Sequence, residues 1–217
     1  MKEKVGEVFS IAKDNAPIIG CTISKEIHSG QNYITYFSLA KNTDISAEIY
    51  TYHKFIIMVM GIIQIYGTNG FTKDLGIGDS ILTQTDIPVG MRTTEGAIYT
   101  EIAIRNEDIM NDVIKIGEPF KLKDLVPYRD GKIVNMDVVH NDKMKFVVMA
   151  FDGGTGLSEH AAPGEAMIFA LDGEGVIGYE GKEHIIKEGE NFHFAKAGKH
   201  WVKANKKFKM ALLITLE

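Results

Sequence analysis

Cysteine is almost missing from this chain of 217 residues: Cys21 stands alone, so no intramolecular disulfide can form. Long apolar runs are missing as well. The most apolar stretch, Phe55 to Ile63, falls far short of the ~20 residues a membrane-spanning helix needs, so no membrane partner is expected. The opening Met1-Lys2-Glu3-Lys4-Val5-Gly6-Glu7 has no apolar core of the secretory kind, and with the lone cysteine it predicts a reducing, cytoplasmic setting. Clustered positive charge is also scarce. A formal net charge of −5, with basic runs confined to Lys121-Leu122-Lys123 and Lys203-Ala204-Asn205-Lys206-Lys207, argues against a nucleic-acid partner. Helical patterning is confined to Val5–Ala12 and Leu122–Val126, which leaves no room for a DNA-reading helical module and sets aside a transcription regulator.

What the chain does hold is short β-branched and aromatic runs, punctuated by Gly, Asn and Asp. Tyr33–Leu39, Phe55–Met60, Ile62–Tyr66 and Ile98–Ile104 read as strands in the first half. Lys145–Phe151, Ala166–Leu171, Val176–Tyr179, His184–Lys187, Asn191–Phe194 and Lys209–Leu216 do so in the second. The halves are related. At an offset of 112 residues Glu48 meets His160, His28 meets His140 and Gly61 meets Gly173; at 111 Gly78 meets Gly189. The polar stretch Asn106–Asp112, leading to Gly117-Glu118-Pro119, is the expected linker, giving domains 1–109 and 110–217. Many short strands with turns between them suggest closed or sandwiched all-β units.

The second copy carries a recognisable pattern. Gly154, His160 and Gly173 fall in the register Gly, five residues, His-x-His, three residues, Glu, six residues, Gly; Gly189 and His200 fall in the register Gly, five residues, Pro-x-Gly, two residues, His. This resembles the two motifs of the cupin superfamily, and the duplication is similar to that of bicupins with two RmlC-like domains of the cupin 2 conserved barrel type. The resemblance implies an all-β fold of two tandem cupin (double-stranded β-helix, or jelly-roll) barrels with short N-terminal helical segments.

The departures from the pattern are as informative as the matches. Cupins converge three His and one Glu on a divalent metal, but Ala162 stands at the second His position and Ala166 at the Glu position, while Ala195 and Ala197 replace Pro and Gly of the second motif. Two ligands remain, His160 and His200, with His193 as the candidate third; three or more are usual for a tightly held ion. The resemblance therefore allows at most a weakly held divalent transition metal. The ordinary alternative for both imidazoles is partial burial against backbone or water.

Two imidazoles facing a cavity emptied by Ala162 and Ala166 suit a small ligand, with Met167, Phe169, Phe194 and Trp201 as candidate walls. The expected function is that of a small-molecule-binding bicupin with its pocket in the second barrel. The alternative is a metal-dependent dioxygenase or isomerase of the cupin type. In the first copy the same positions hold Glu48, Tyr50, Lys54 and Val89, and an ion pair between Glu48 and Lys54 is expected in place of a metal. Phe55-Ile56-Ile57-Met58-Val59-Met60 is apolar at both parities, so both faces of that strand should be covered, by a homodimer partner or by the other half of the chain.

Overall fold

The computed structural model describes residues 1–68 and 70–217. Strand β1 (Val8–Phe9) and a single helical turn α1 (Ile11–Asp14), capped by the Ser10 hydroxyl, open the chain. The first half continues with β2 (Thr22–His28), β3 (Ile34–Leu39), β4 (Thr43–Ile49), β5 (His53–Gly61) and β6 (Ile63–Gly67). Then follow β7 (Thr72–Leu75), β8 (Asp79–Leu82), β9 (Pro88–Thr93) and β10 (Ala97–Ile104). Between the halves lie β11 (Ile109–Met110), β12 (Phe120–Lys121) and a 3-10 turn at Leu122–Asp124. The second half comprises β13 (Ile133–His140), β14 (Met144–Phe151), β15 (Gly156–Ala161), β16 (Glu165–Tyr179), β17 (Lys182–Lys187), β18 (Asn191–Phe194), β19 (Lys199–Lys203) and β20 (Phe208–Thr215).

All strand pairings are antiparallel. A six-stranded sheet, β12-β8-β5-β10-β3-β2, packs on a four-stranded one, β4-β9-β6-β7. In the second half one sheet runs β1-β18-β16-β20-β14-β13-β11, with β17 and β19 also on β16 and β15 on β19. Two short strands cross between the halves: β1 pairs with β18, and β12 pairs with β8. The fold is thus nearly all β, of the jelly-roll kind, and no helix among the described residues is long and apolar enough to cross a membrane.

Two runs expected as separate strands, 166–171 and 176–179, are one strand, β16. Its pairing with β20 shifts register between Ala170 and Asp172, and Gly173 takes a positive φ of 74°. That kink lets residues 166–169 pair with β18 while residues 174–179 pair with β17. The first half meets the same corner at Gly61, with φ 72°, where the chain breaks between β5 and β6. A further likeness concerns the turn glycines: the Gly78 amide donates to the Met58 carbonyl at 3.0 Å, and the Gly189 amide to the Ala170 carbonyl at 2.9 Å.

Alternation of side chains sorts the core into three. Ile56, Met58, Ile63, Ile65, Val89, Met91 and Tyr99 fill the first half. Ala166, Ile168, Ile177, Phe192, Phe194 and Val202 fill the second. Between them a shared cluster joins Phe55, Ile57, Ile98 and Ile102 to Phe146, Val148, Met167 and Phe169. Both faces of β5 are therefore covered within this chain. Phe55 is edge-on to Phe146, with ring centroids 5.5 Å apart, and each such fully buried side chain contributes about 1.5–3 kcal/mol through its removal from water.

Candidate functional site

Strand β15 lies beside β19, and their register sets His160 directly opposite His200. The imidazole centroids stand 4.2 Å apart, with planes inclined at 55°. His160 is exposed, whereas His200 is 5% exposed and stacks on Phe194 at 4.1 Å. The pair therefore joins solvent to the interior of the second half, where Ala162 and Ala166 are buried.

Each imidazole is tied in the same way. His160 Nδ1 lies 2.9 Å from the carbonyl oxygen of Ser158, and His200 Nδ1 lies 3.0 Å from that of Gly198. A carbonyl can only accept, so each Nδ1 carries the hydrogen and each Nε2 of the neutral ring keeps its lone pair. Burial, followed by the repulsion of His160 when charged, pushes the His200 pKa below its ordinary value, although its bond to Gly198 opposes this. His200 is accordingly neutral at pH 7, an acceptor at Nε2.

Several residues expected at this site are elsewhere. His193 is next to Phe194 on β18 and so extends from the opposite face of the strand. Its Nδ1 donates to the Glu3 carbonyl at 2.9 Å, and its Nε2 lies 3.6 Å from Glu165, which also holds the amino group of Met1. The expectation of His193 as a third ligand is corrected by that parity. Met167 and Phe169 are corrected for the same reason: they alternate with Ala166, Ile168 and Ala170 and enter the cluster between the halves, where Met167 Sδ accepts the Tyr36 hydroxyl at 3.2 Å. Trp201 is opposite in parity to His200 and Val202, and its ring lies over Gly178, its register partner, so tightly that a Cβ there would sit 1.9 Å from it. Tyr179, the register partner of His200 on β16, was not anticipated; its hydroxyl accepts the Ala195 amide at 3.4 Å beside Phe194.

The equivalent place in the first half has the same backbone and other chemistry. Glu48 lies opposite Val89 across β4 and β9, as His160 lies opposite His200. Lys54, however, does not pair with Glu48. Its ammonium reaches Glu101 on β10 at 3.2 Å and lies 3.8 Å from the centre of the Tyr50 ring. Glu48 is exposed and accepts the Tyr50 hydroxyl at 2.8 Å instead. The correction follows from burial, because Lys54 and Glu101 are 4% and 1% exposed and each can be charged there only beside the other. Glu101 was not anticipated; its one signal in the sequence is a lone charge within Ala97–Ile104, a strand that is buried throughout.

A family profile described as the cupin domain matches residues 147–216. The whole chain superposes on a cupin 2 conserved barrel domain protein from Leptotrichia buccalis with a TM-score of 0.86 and 26% identity, covering 99% of this chain and 98% of that one. Residues 147–216 thus match a cupin domain, and the fold of the whole chain is that of a cupin barrel protein. The fold is shared as well with a salicylate 1,2-dioxygenase from Pseudoaminobacter salicylatoxidans in complex with gentisate (TM-score 0.65, 11% identity, 96% of this chain and 81% of that one). Protein Ylba from E. coli has the fold too (TM-score 0.61, 11% identity, 96% and 89%). No curated protein matches.

The divalent metal that the superfamily implies can be tested against the donors present. Among the described residues no group of three or more His, Cys, Asp or Glu side chains is placed to hold an ion. Two imidazoles alone fall short of the three protein donors that usually retain a first-row metal. The residues do not fit a tightly held ion.

Proposed function

We propose that this protein is a small-molecule-binding bicupin, with residues 1–109 and 110–217 as its two barrels. Its ligand is held by His160 and His200, in a cytoplasmic setting. One observation carries the reading: both Nδ1 atoms are committed to carbonyls, so two neighbouring Nε2 lone pairs remain as acceptors. Such a pair suits a ligand that donates hydrogen bonds, a neutral hydroxyl or amide compound, with the Phe194 ring beneath His200 as the apolar wall. Any divalent transition metal bound there is weakly held and completed by ligand or water.

Ligand-detected NMR with polyols, sugars and small amides tests this directly. Hits are expected to vanish in His160→Phe and His200→Phe, and a full set of hits in both variants would refute the assignment. The alternative, a metal-dependent dioxygenase or isomerase, draws on the same two Nε2 atoms as metal donors. Metal analysis of protein purified without a nickel column separates the two readings, since less than about a tenth of an equivalent is expected from two donors and near-stoichiometric metal would favour the enzyme.

A further inference from the structure

A cavity of about 110 Å³ lies between the halves, and the duplication supplies its walls twice. Strand β5 contributes Ile57, Met58 and Val59, and β16 contributes Phe169, Ala170 and Leu171. These are equivalent positions, related by the same offset of 112 residues that pairs Gly61 with Gly173. The turns beyond add Ile77 with Gly78 from the first half and Glu188 with Gly189 from the second, equivalent again. Leu122, in the 3-10 turn between the halves, completes the lining and is buried, as are Ile57 and Phe169. The inside is therefore aliphatic and aromatic, while the exposed Ile77, Gly78, Glu188 and Gly189 form the mouth.

The two contributions to that mouth differ in chemistry. Ile77 is 65% exposed, a large apolar side chain left in water beside an apolar cavity. Its counterpart is the charged Glu188, and Glu190, two residues on, also lines the cavity. Glu188 meets only the exposed Lys123 ammonium, at 3.7 Å, so little of its charge is compensated. Glu190 Oε2 accepts the Lys187 amide at 2.9 Å, but the Lys187 ammonium turns to Glu174 instead, and no cation among the described residues pairs with Glu190. An apolar interior thus opens between an apolar lip and an under-compensated anionic one.

We infer that this seam binds a small primary alkylammonium, its chain laid against Ile57, Val59, Leu122 and Phe169 and its charged end set at Glu188 and Glu190. The volume suits a chain of roughly four to six carbons, since a cavity of ~150 Å³ lined by such side chains accommodates benzene. The class follows from the two lips: the tail removes apolar surface from water, and the ammonium supplies the cation that the carboxylates lack. A carboxylic acid of the same length would be repelled by both. No residue of β15 or β19 lines the cavity, so binding here is independent of His160 and His200.

NMR titration of the full chain, isotope-labelled on its Ile, Leu and Val methyl groups, with n-butylamine, n-butanol and butyrate at pH 7 reads both place and class. Saturable shifts are expected at Ile57, Val59, Ile77 and Leu122. The amine should bind roughly five-fold tighter than the alcohol, the worth of a partly exposed charge contact, and the acid most weakly. Hexylamine should bind about ten-fold tighter than butylamine, as two further methylenes leave water. Glu188→Gln with Glu190→Gln, neither of them buried, should erase the preference for amine over alcohol. Val59→Phe should abolish binding of both by filling the cavity; if it does not fold, the double Gln variant still decides. Absence of saturable shifts at these methyls, equal affinity for amine and alcohol, or an amine preference that survives the double Gln variant would overturn the inference. So would shifts that persist in Val59→Phe and vanish in His200→Phe, which would return the ligand to the histidine pair.

Discussion

The Lys54 ammonium and the Glu101 carboxylate meet at 3.2 Å with almost no exposure on either side. Removing one partner strands the other charge in a medium that cannot solvate it. Lys54→Met alone, or Glu101→Leu alone, is expected to lose about 3–5 kcal/mol of stability, whereas the double variant should recover most of the loss. Urea denaturation of the three proteins measures this as a double-mutant cycle. Equal, additive losses would mean that the pair contributes nothing as a pair.

Two buried imidazoles give stability a defined dependence on pH. Burial is the leading cause that lowers the pKa of both His193 and His200 below the ordinary 6.5. At higher pH both are neutral in folded and unfolded chain, and their contribution is fully present. As pH falls below 6.5 the unfolded chain takes up protons that the folded chain refuses, so stability is lost progressively until the folded pKa values are passed. Melting temperature is expected to fall from pH 8 to pH 5, less steeply in His193→Met and in His200→Phe, and least in the double variant. Asp152, whose pKa is lowered chiefly by the Gly131 amide, titrates below this window and leaves it undisturbed. Identical slopes in all four proteins would show that neither ring is responsible.

The corner glycines offer a third test. At Gly61 a Cβ would sit 2.0 Å from the Gly96 carbonyl oxygen, and at Gly173 it would sit 2.1 Å from that of Lys207, both at positive φ. Neither obstacle is a side chain that could swing away. Gly61→Ala and Gly173→Ala should each cost more than the roughly 1–2 kcal/mol of the left-handed backbone alone, seen as a fall in the urea midpoint. Gly181→Ala, also at positive φ but with open space around it, should cost only the backbone share. Similar losses at all three positions would remove the steric part of the argument.

Those glycines also explain what the sequence disclosed. The repeat was legible because a positive φ admits few residues other than Gly, so the same turns leave the same letters at Gly61 and Gly173, and at Gly78 and Gly189; the jelly-roll fold itself was legible only through the cupin resemblance. The facing of His160 and His200 was legible through the cupin resemblance. Side-chain direction was not. Between Phe194 and His200 a turn with Ala197 at φ 64° breaks the alternation, and nothing in the letters says that Phe194, not His193, shares the face of His200. Met167 and Phe169 look like pocket walls until the other half of the chain is packed against them. Glu101 is harder still, since its partner Lys54 is 47 residues distant and only the antiparallel pairing of β5 with β10 brings them together.

The two alanines beside the histidine pair give the last test. Ala162 and Ala166 are 4% and 2% exposed, lie in the core cluster of the second half, and stand where the cupin pattern has its second His and its Glu. If the chain lacks a tight metal site only because these donors are missing, restoring them should restore it. Ala162→His with Ala166→Glu is expected to retain about one equivalent of zinc or nickel after gel filtration, as a four-donor set does, while the unaltered chain retains almost none. His200→Phe in that background should abolish retention, because removing one of four converging donors opens the shell. Circular dichroism must first show that the added side chains fit the interior, since overpacking commonly costs about 1–3 kcal/mol. A folded variant that still released its metal would show that His160 and His200 do not converge on the position of the missing donors.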